Sequence, residues 1–152
     1  MATKTHEATI EVDVPVRTAY DQWTQFEEFP KFMGGVERVR QVTPERLHWE
    51  VGIGGVHREF EAEIVEQHPD EVVAWRSLDG PTHSGEVRFQ PVGQSRTRVD
   101  LRMEVDPEGL TEKAGEAFGV VDHRIKADLE RFKAFIENIG TQTGGWRGHI
   151  SP

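Results

Sequence analysis

Residues Thr111–Asn138 read TEKAGEAFGVVDHRIKADLERFKAFIEN. Plotted at 100° per residue, Phe118, Val121, Ile125, Leu129, Phe132, Ile136 and the following Ile139 fall within an arc of roughly 80°. Ala114 joins that stripe, and Glu112, Lys113, Glu116, His123, Lys126, Glu130, Lys133 and Glu137 take the other side. Thr111 is placed to act as N-cap and Gly140 as the C′ residue. The pattern predicts one amphipathic helix of about 40 Å, whose apolar stripe needs an equally long cover. The chain upstream supplies it.

Ala8 to Val14 alternates strictly, with Ile10, Val12 and Val14 on one side, and predicts a half-buried strand. Pro15 ends that strand and opens a short helix, Pro15 to Thr24, on which Val16, Ala19, Tyr20 and Trp23 share a face. Phe26, Phe29, Phe32 and Met33 follow around Pro30, which separates two short helical turns. Strand patterns then succeed one another. Val36 to Val42 comes first, then Leu47, Trp49, Val51 and Ile53 alternating with polar residues, and a Gly54-Gly55 hairpin signal. The return strand puts Val56, Arg58, Phe60, Ala62 and Ile64 on one face and His57, Glu59, Glu61 and Glu63 on the other. Val72 to Leu78, then His83, Gly85, Val87 and Phe89, then Val99, Leu101, Met103 and Val105 complete the series. Hairpin-length connections between them predict an antiparallel meander. The fold class expected is α+β, a curved antiparallel sheet of about seven strands around the C-terminal helix, with two short helices after the first strand.

The chain has 152 residues, enough for one domain with a real core. Its net charge of −9 argues against nucleic acid and against an anionic membrane surface as partners. The absence of cysteine excludes disulfides, thiolate metal sites and a Cys nucleophile. No apolar run reaches the ~20 residues of a membrane span, so a cytoplasmic location is expected. The seven histidines are scattered without ligand spacing, and neither a G-x-S-x-G elbow nor a phosphate-binding P-loop occurs. Neither metal nor cofactor is therefore expected. Residues 1–140 form the predicted domain, and 141–152 a flexible glycine-rich tail carrying Trp146. The outward charges, Glu59, Glu61 and Glu63 facing cations of neighbouring strands and Arg98, Asp100, Arg102 and Glu104 alternating in sign, are taken as solvated surface.

Several stretches together resemble the START-like superfamily, with its helix-grip fold, and within it the polyketide cyclase/dehydrase group. They are Ile10–Val16 (IEVDVPV), Ala19–Trp23 (AYDQW), Phe29–Met33 (FPKFM), Val73–Ser77 (VAWRS), Gly85–Phe89 (GEVRF), and Thr97-Arg-Val with Asp106-Pro-Glu-Gly. The resemblance covers roughly residues 5–140. It implies a mostly apolar cavity between sheet and long helix that takes a lipid, quinone or polyketide, and in some members a cyclase, aromatase or dehydratase acting on the bound chain.

Polar residues on apolar faces are the informative ones. Arg58 stands between Val56 and Phe60, and a buried guanidinium must be paired or bind something. It either keeps its head in water at a strand end or orients a ligand carbonyl, carboxylate or phenolate. A register slip of one residue would exchange it for His57. The resemblance places a cavity arginine on the corresponding strand. His83, at the start of its strand, is a candidate for proton transfer if it faces inward, and otherwise a rim residue. Tyr20, the lone tyrosine, is either a hydrogen-bond donor to a ligand or part of the core. Candidate lining residues are Trp23, Phe29, Phe32, Met33, Trp49, Val51, Phe60, Trp75, Val87, Phe89, Met103, Phe118, Val121 and Ile125, with core packing as the competing role. Three functions compete: an apolar-ligand carrier, a cyclase in which Arg58 polarises a carbonyl while His83 or Tyr20 moves a proton, and a co-chaperone using the groove for a protein partner. Convergent polar groups would favour the enzyme, a dry wall the carrier.

Overall fold

The computed structural model describes residues 4–34, 36–53, 56–78, 83–105 and 114–151, side chains excepted at Lys4, Ile53, Val56, His83, Val105 and 114–124. Strand β1 (Lys4–Val12) is followed by helix α1 (Val16–Trp23) and a 3₁₀ helix (Phe26–Lys31). Strands β2 (Val36–Gln41), β3 (Arg46–Ile53), β4 (Val56–His68), β5 (Val72–Ser77), β6 (His83–Pro91) and β7 (Thr97–Val105) come next, and α2 (Ala114–Ile139) closes the series. All strands lie in one curled antiparallel sheet, order β1-β7-β6-β5-β4-β3-β2. The first strand thus pairs with the last, Lys4 opposite Val105 and Val12 opposite Thr97.

Pro15 starts α1 as expected: its carbonyl accepts the Ala19 N–H at 3.1 Å. Pro30 lies inside a single 3₁₀ segment, after the turn closed by Glu28 N–H to Gln25 O and within the turn closed by Phe32 N–H to Phe29 O. A proline has no N–H to lose from either turn's closing bond, so the segment tolerates it. The Gly54-Gly55 turn and the Thr111 N-cap lie outside the described residues.

Helix α2 buries Ile125, Leu129, Phe132 and Ile136, each at most 4% exposed. Ile139 is 41% exposed, contrary to its predicted place in the stripe; it is the last helical residue. Gly140 takes φ +73° and donates its N–H to Ile136 O, the left-handed cap its sequence position predicts. Polar ties fix the helix. Lys133 Nζ donates to Glu11 O at 3.0 Å, and Glu137 accepts the Asp13 N–H at 2.8 Å. Asp128 accepts the Gly34 N–H at 2.9 Å, while Arg131 donates to Phe32 O. Among the described residues no helix is long and apolar enough to cross a membrane.

The glycine-rich C-terminal stretch lies along α1 and the end of β4. Gln67 and Ile150 exchange backbone hydrogen bonds of 2.8 and 2.9 Å, and Thr24 Oγ1 accepts the Trp146 N–H. Gln22 bonds Thr143 twice.

Candidate functional site

The β3–β4 register puts Arg58 opposite Val51, Phe60 opposite Trp49 and Ala62 opposite Leu47. Because side chains alternate along a strand, Arg58 shares the concave face with the buried Phe60 and Ala62, and His57 points the other way. His57 is exposed, with its Nδ1 2.8 Å from Glu37. Arg58 is partly buried.

The same concave face carries three large rings further along β4 from Arg58, with Trp49 opposite Phe60 and Trp75 opposite Ile64. Trp49 and Phe60 stack at 6.0 Å with planes 6° apart, and Trp49 and Trp75 at 6.1 Å and 22°. Gly85 is the β6 residue opposite Trp75. A Cβ there would sit 2.9 Å from the indole and 2.7 Å from Arg102 O, so the missing side chain is what admits the ring. Met103, opposite Gly85, is partly buried, and Ser77 faces Ala62. Along β4 the concave face thus carries aromatic side chains, one guanidinium and one hydroxyl.

The remaining candidates sort into groups. Trp23, Phe29 and Phe32 are each 1% exposed and pack ring against ring; Trp23 also meets Phe132 at 4.9 Å and Phe89 at 6.4 Å. Met33, Val51, Val87, Phe89 and Ile125 join the same buried cluster, to which Trp49, Phe60 and Trp75 also belong, each at most 5% exposed. These residues fill space between sheet and helix. The side chains of Phe118, Val121 and His83 lie outside the described residues; the His83 backbone opens β6 opposite Val105.

Tyr20 sits elsewhere. It is fully buried, edge-on to Phe89 at 5.5 Å, with Arg147 5.6 Å over its ring. Burial pushes its hydroxyl pKa up to about 12, against the opposing effects of the Gln67 amide and the Arg147 charge. Gln67 and Arg58 are nine positions apart on β4, a span of about 30 Å in extended chain. Tyr20 and Arg58 therefore serve different ends of the interior and do not converge on one ligand atom.

Around Tyr20 lies a polar group that the strand-and-helix reading missed. Asp21 is 3% exposed and receives Arg147 at 2.5 Å, and the same guanidinium reaches Asp70 at 2.8 Å. Asp70 holds φ +65°, a left-handed turn conformation that aspartate tolerates. Nothing in the helical pattern marks this group: Asp21 and Gln22 lie off the Val16, Ala19, Tyr20 and Trp23 face, and Arg147 is an arginine of the tail.

Residues 12–134 match the family described as polyketide cyclase/dehydrase and lipid transport. A 17.2 kDa protein of Streptomyces lincolnensis from the melC2–rnhH intergenic region, itself described as uncharacterised, is 52% identical over 145 residues, 95% of this chain and 97% of that one. The fold is similar to that of the ZhuI aromatase/cyclase of Streptomyces sp. R1128, with TM-score 0.77 at 18% identity over 95% of this chain and all of that one. It is also similar to a START superfamily protein of Mycobacterium smegmatis, with TM-score 0.70 at 14% identity over 91% and 99%. With its curled sheet, its closing helix and a match that runs from β1 into α2, the chain belongs to the polyketide cyclase/dehydrase and lipid transport family, and its fold is the START-like helix grip.

Proposed function

We propose that the protein binds an apolar, ring-bearing small molecule of the lipid, quinone or polyketide kind against the concave face of the sheet, beneath the C-terminal helix. The observation that carries this is the Phe60–Trp49–Trp75 array with Arg58 on the same face. Stacked rings offer a flat apolar surface, and a partly buried guanidinium gives a carbonyl, phenolate or carboxylate one directional partner. Membership of a family described by polyketide chemistry and lipid transport supports the same class of ligand.

A cyclase or dehydratase reading of the same site has one observation in its favour: Arg58 stands where it could polarise a carbonyl of a molecule lying on those rings. Tyr20 takes no part in that version, since it lies at the other end of β4. A proton carrier would come from the β6 end of the sheet, where His83 stands.

The test is a fluorescence titration of the purified protein with a naphthoquinone and with a C16 fatty acid, followed by the same titrations on Arg58→Ala and Trp49→Ala. Saturable quenching that weakens about tenfold in Trp49→Ala, as a loss of about 1.4 kcal/mol would give, supports binding on the ring array. An unsaturable response to both probes, or one unaltered in both variants, would refute it. Conversion of a bound poly-β-ketone by wild type and not by Arg58→Ala would establish the catalytic reading.

A further inference from the structure

The convex face of the sheet, turned away from the interior, gathers histidines and carboxylates from neighbouring strands. His48 and Glu50 point outward from β3, and the register sets Glu61 opposite His48 and Glu59 opposite Glu50. Two glutamates directly across a ladder repel one another, so this pairing calls for positive charge. On β2, Arg38 stands opposite Glu50 and Arg40 opposite His48. His48 completes the group: Glu61 holds its Nδ1, and its Nε2 lies 3.1 Å from Glu59 Oε1. One ligand atom each of His48, Glu50 and Glu59 falls within 4.8 Å of the others.

We propose that His48, Glu50 and Glu59 form a binding site for a first-row divalent cation, with Zn²⁺ the best match and water in the remaining positions. One imidazole and two carboxylates are borderline N/O donors, the set that zinc-type ions prefer over calcium. The imidazole is already oriented for the task. A carboxylate on Nδ1 fixes the tautomer and the ring, which leaves Nε2 as the ligand, an arrangement typical of metal-bound histidine. The pattern is repeated next door. His57 has Glu37 on Nδ1 at 2.8 Å and presents Nε2 to the second Glu59 oxygen at 3.4 Å. Glu59 thus sits between two imidazoles, each steered by its own carboxylate. His48 is 22% exposed and Glu59 52%, so an ion reaches the group directly from solvent.

Without a metal, protons do the neutralising. The N–H bonds that His48 donates to Glu61 and Glu59 hold it above the usual histidine range, those that His57 donates to Glu59 and Glu37 do the same for His57, and the two histidines lower Glu59. Glu37 and the two arginines from β2, Glu50 from β3, and His57, Glu59 and Glu61 from β4 set that balance together.

Tag-free protein titrated calorimetrically with ZnCl₂ near neutral pH tests the site. Expected is one ion per chain in the micromolar range, with His48→Gln and Glu59→Gln each weakening it at least about tenfold, the lower end of what a lost orienting contact alone costs. Far-UV circular dichroism and the melting temperature of each variant establish that these surface changes leave the fold intact. His68 and His149 face each other with ring nitrogens 3.3 Å apart, and His149→Gln serves as control. Absence of saturable binding to about 1 mM, a standard free energy weaker than about −4 kcal/mol, would overturn the proposal. So would binding that survives His48→Gln, or that is lost in His149→Gln instead.

Discussion

Arg147→Ala should loosen the C-terminal stretch and lower the stability of the whole domain. The Asp21 side chain is 5% exposed and the Arg147 side chain 30%. Breaking a fully buried ion pair costs about 3–5 kcal/mol, because one charge stays behind without its partner. Here the guanidinium is partly wet, and Asp21 keeps Arg17 at 3.8 Å and the Gln142 amide at 3.4 Å. Roughly half that scale, about 2 kcal/mol, is therefore expected. In a chain of this size about 2 kcal/mol lowers Tm by about 4–8 °C. Asp21→Asn in the Arg147→Ala background removes the stranded charge and should recover about half of the loss. Thermal unfolding followed by circular dichroism gives the magnitude. Amide hydrogen exchange at Gln67 and Ile150, which share two backbone bonds, reports the tail. Unchanged Tm together with unchanged exchange at those two amides would refute the claim that Arg147 holds the tail.

Three further outcomes are expected. Phe132→Ala, at a fully buried ring in contact with Trp23 and Phe32, should cost about 3–5 kcal/mol in urea unfolding. Gly85→Ala should destabilise by about 1–3 kcal/mol and shift the tryptophan emission, because the new methyl meets a backbone carbonyl that cannot turn aside and an indole that must. Tyr20 should give no tyrosinate absorbance until about pH 12 in the folded protein. Since its folded pKa is raised, its contribution to stability is complete below pH 10 and disappears as pH rises from there through 12; denaturant midpoints for wild type and Tyr20→Phe across that window would expose the difference.

Strict alternation in β1, β3 and β7 and the stripe from Ile125 to Ile136 made most of the architecture readable, because period two and period 3.6 each leave a residue no choice of side. The same rule placed Arg58 on the concave face once the strand partner was known; alone, the sequence left a one-residue slip open. What could not be read depends on contacts between distant segments. Arg147 meets Asp21 across 126 positions, and no local pattern marks that pairing. Glu59 and Glu61 were expected to face lysines and arginines, yet they face His48 and His57. The register set their neighbours, and composition held no record of it. Arg98 and Arg102 pair along their own strand with Asp100 and Glu104, and the register also sets Glu11 and Glu7 opposite them.

The adjacency of β1 and β7 also dictates an order of events during synthesis. Lys4 finds its partner only when Val105 exists, whereas β2 to β7 form hairpins as they emerge. Closing a loop of about 100 residues costs about 4 kcal/mol of chain entropy before the first contact repays it. Nascent β1 therefore waits, with its edge exposed, while five hairpins form behind it. Its alternate residues Glu7, Glu11 and Thr9, exposed in the finished sheet, keep one side of that waiting strand wettable and poorly suited to premature pairing with another chain.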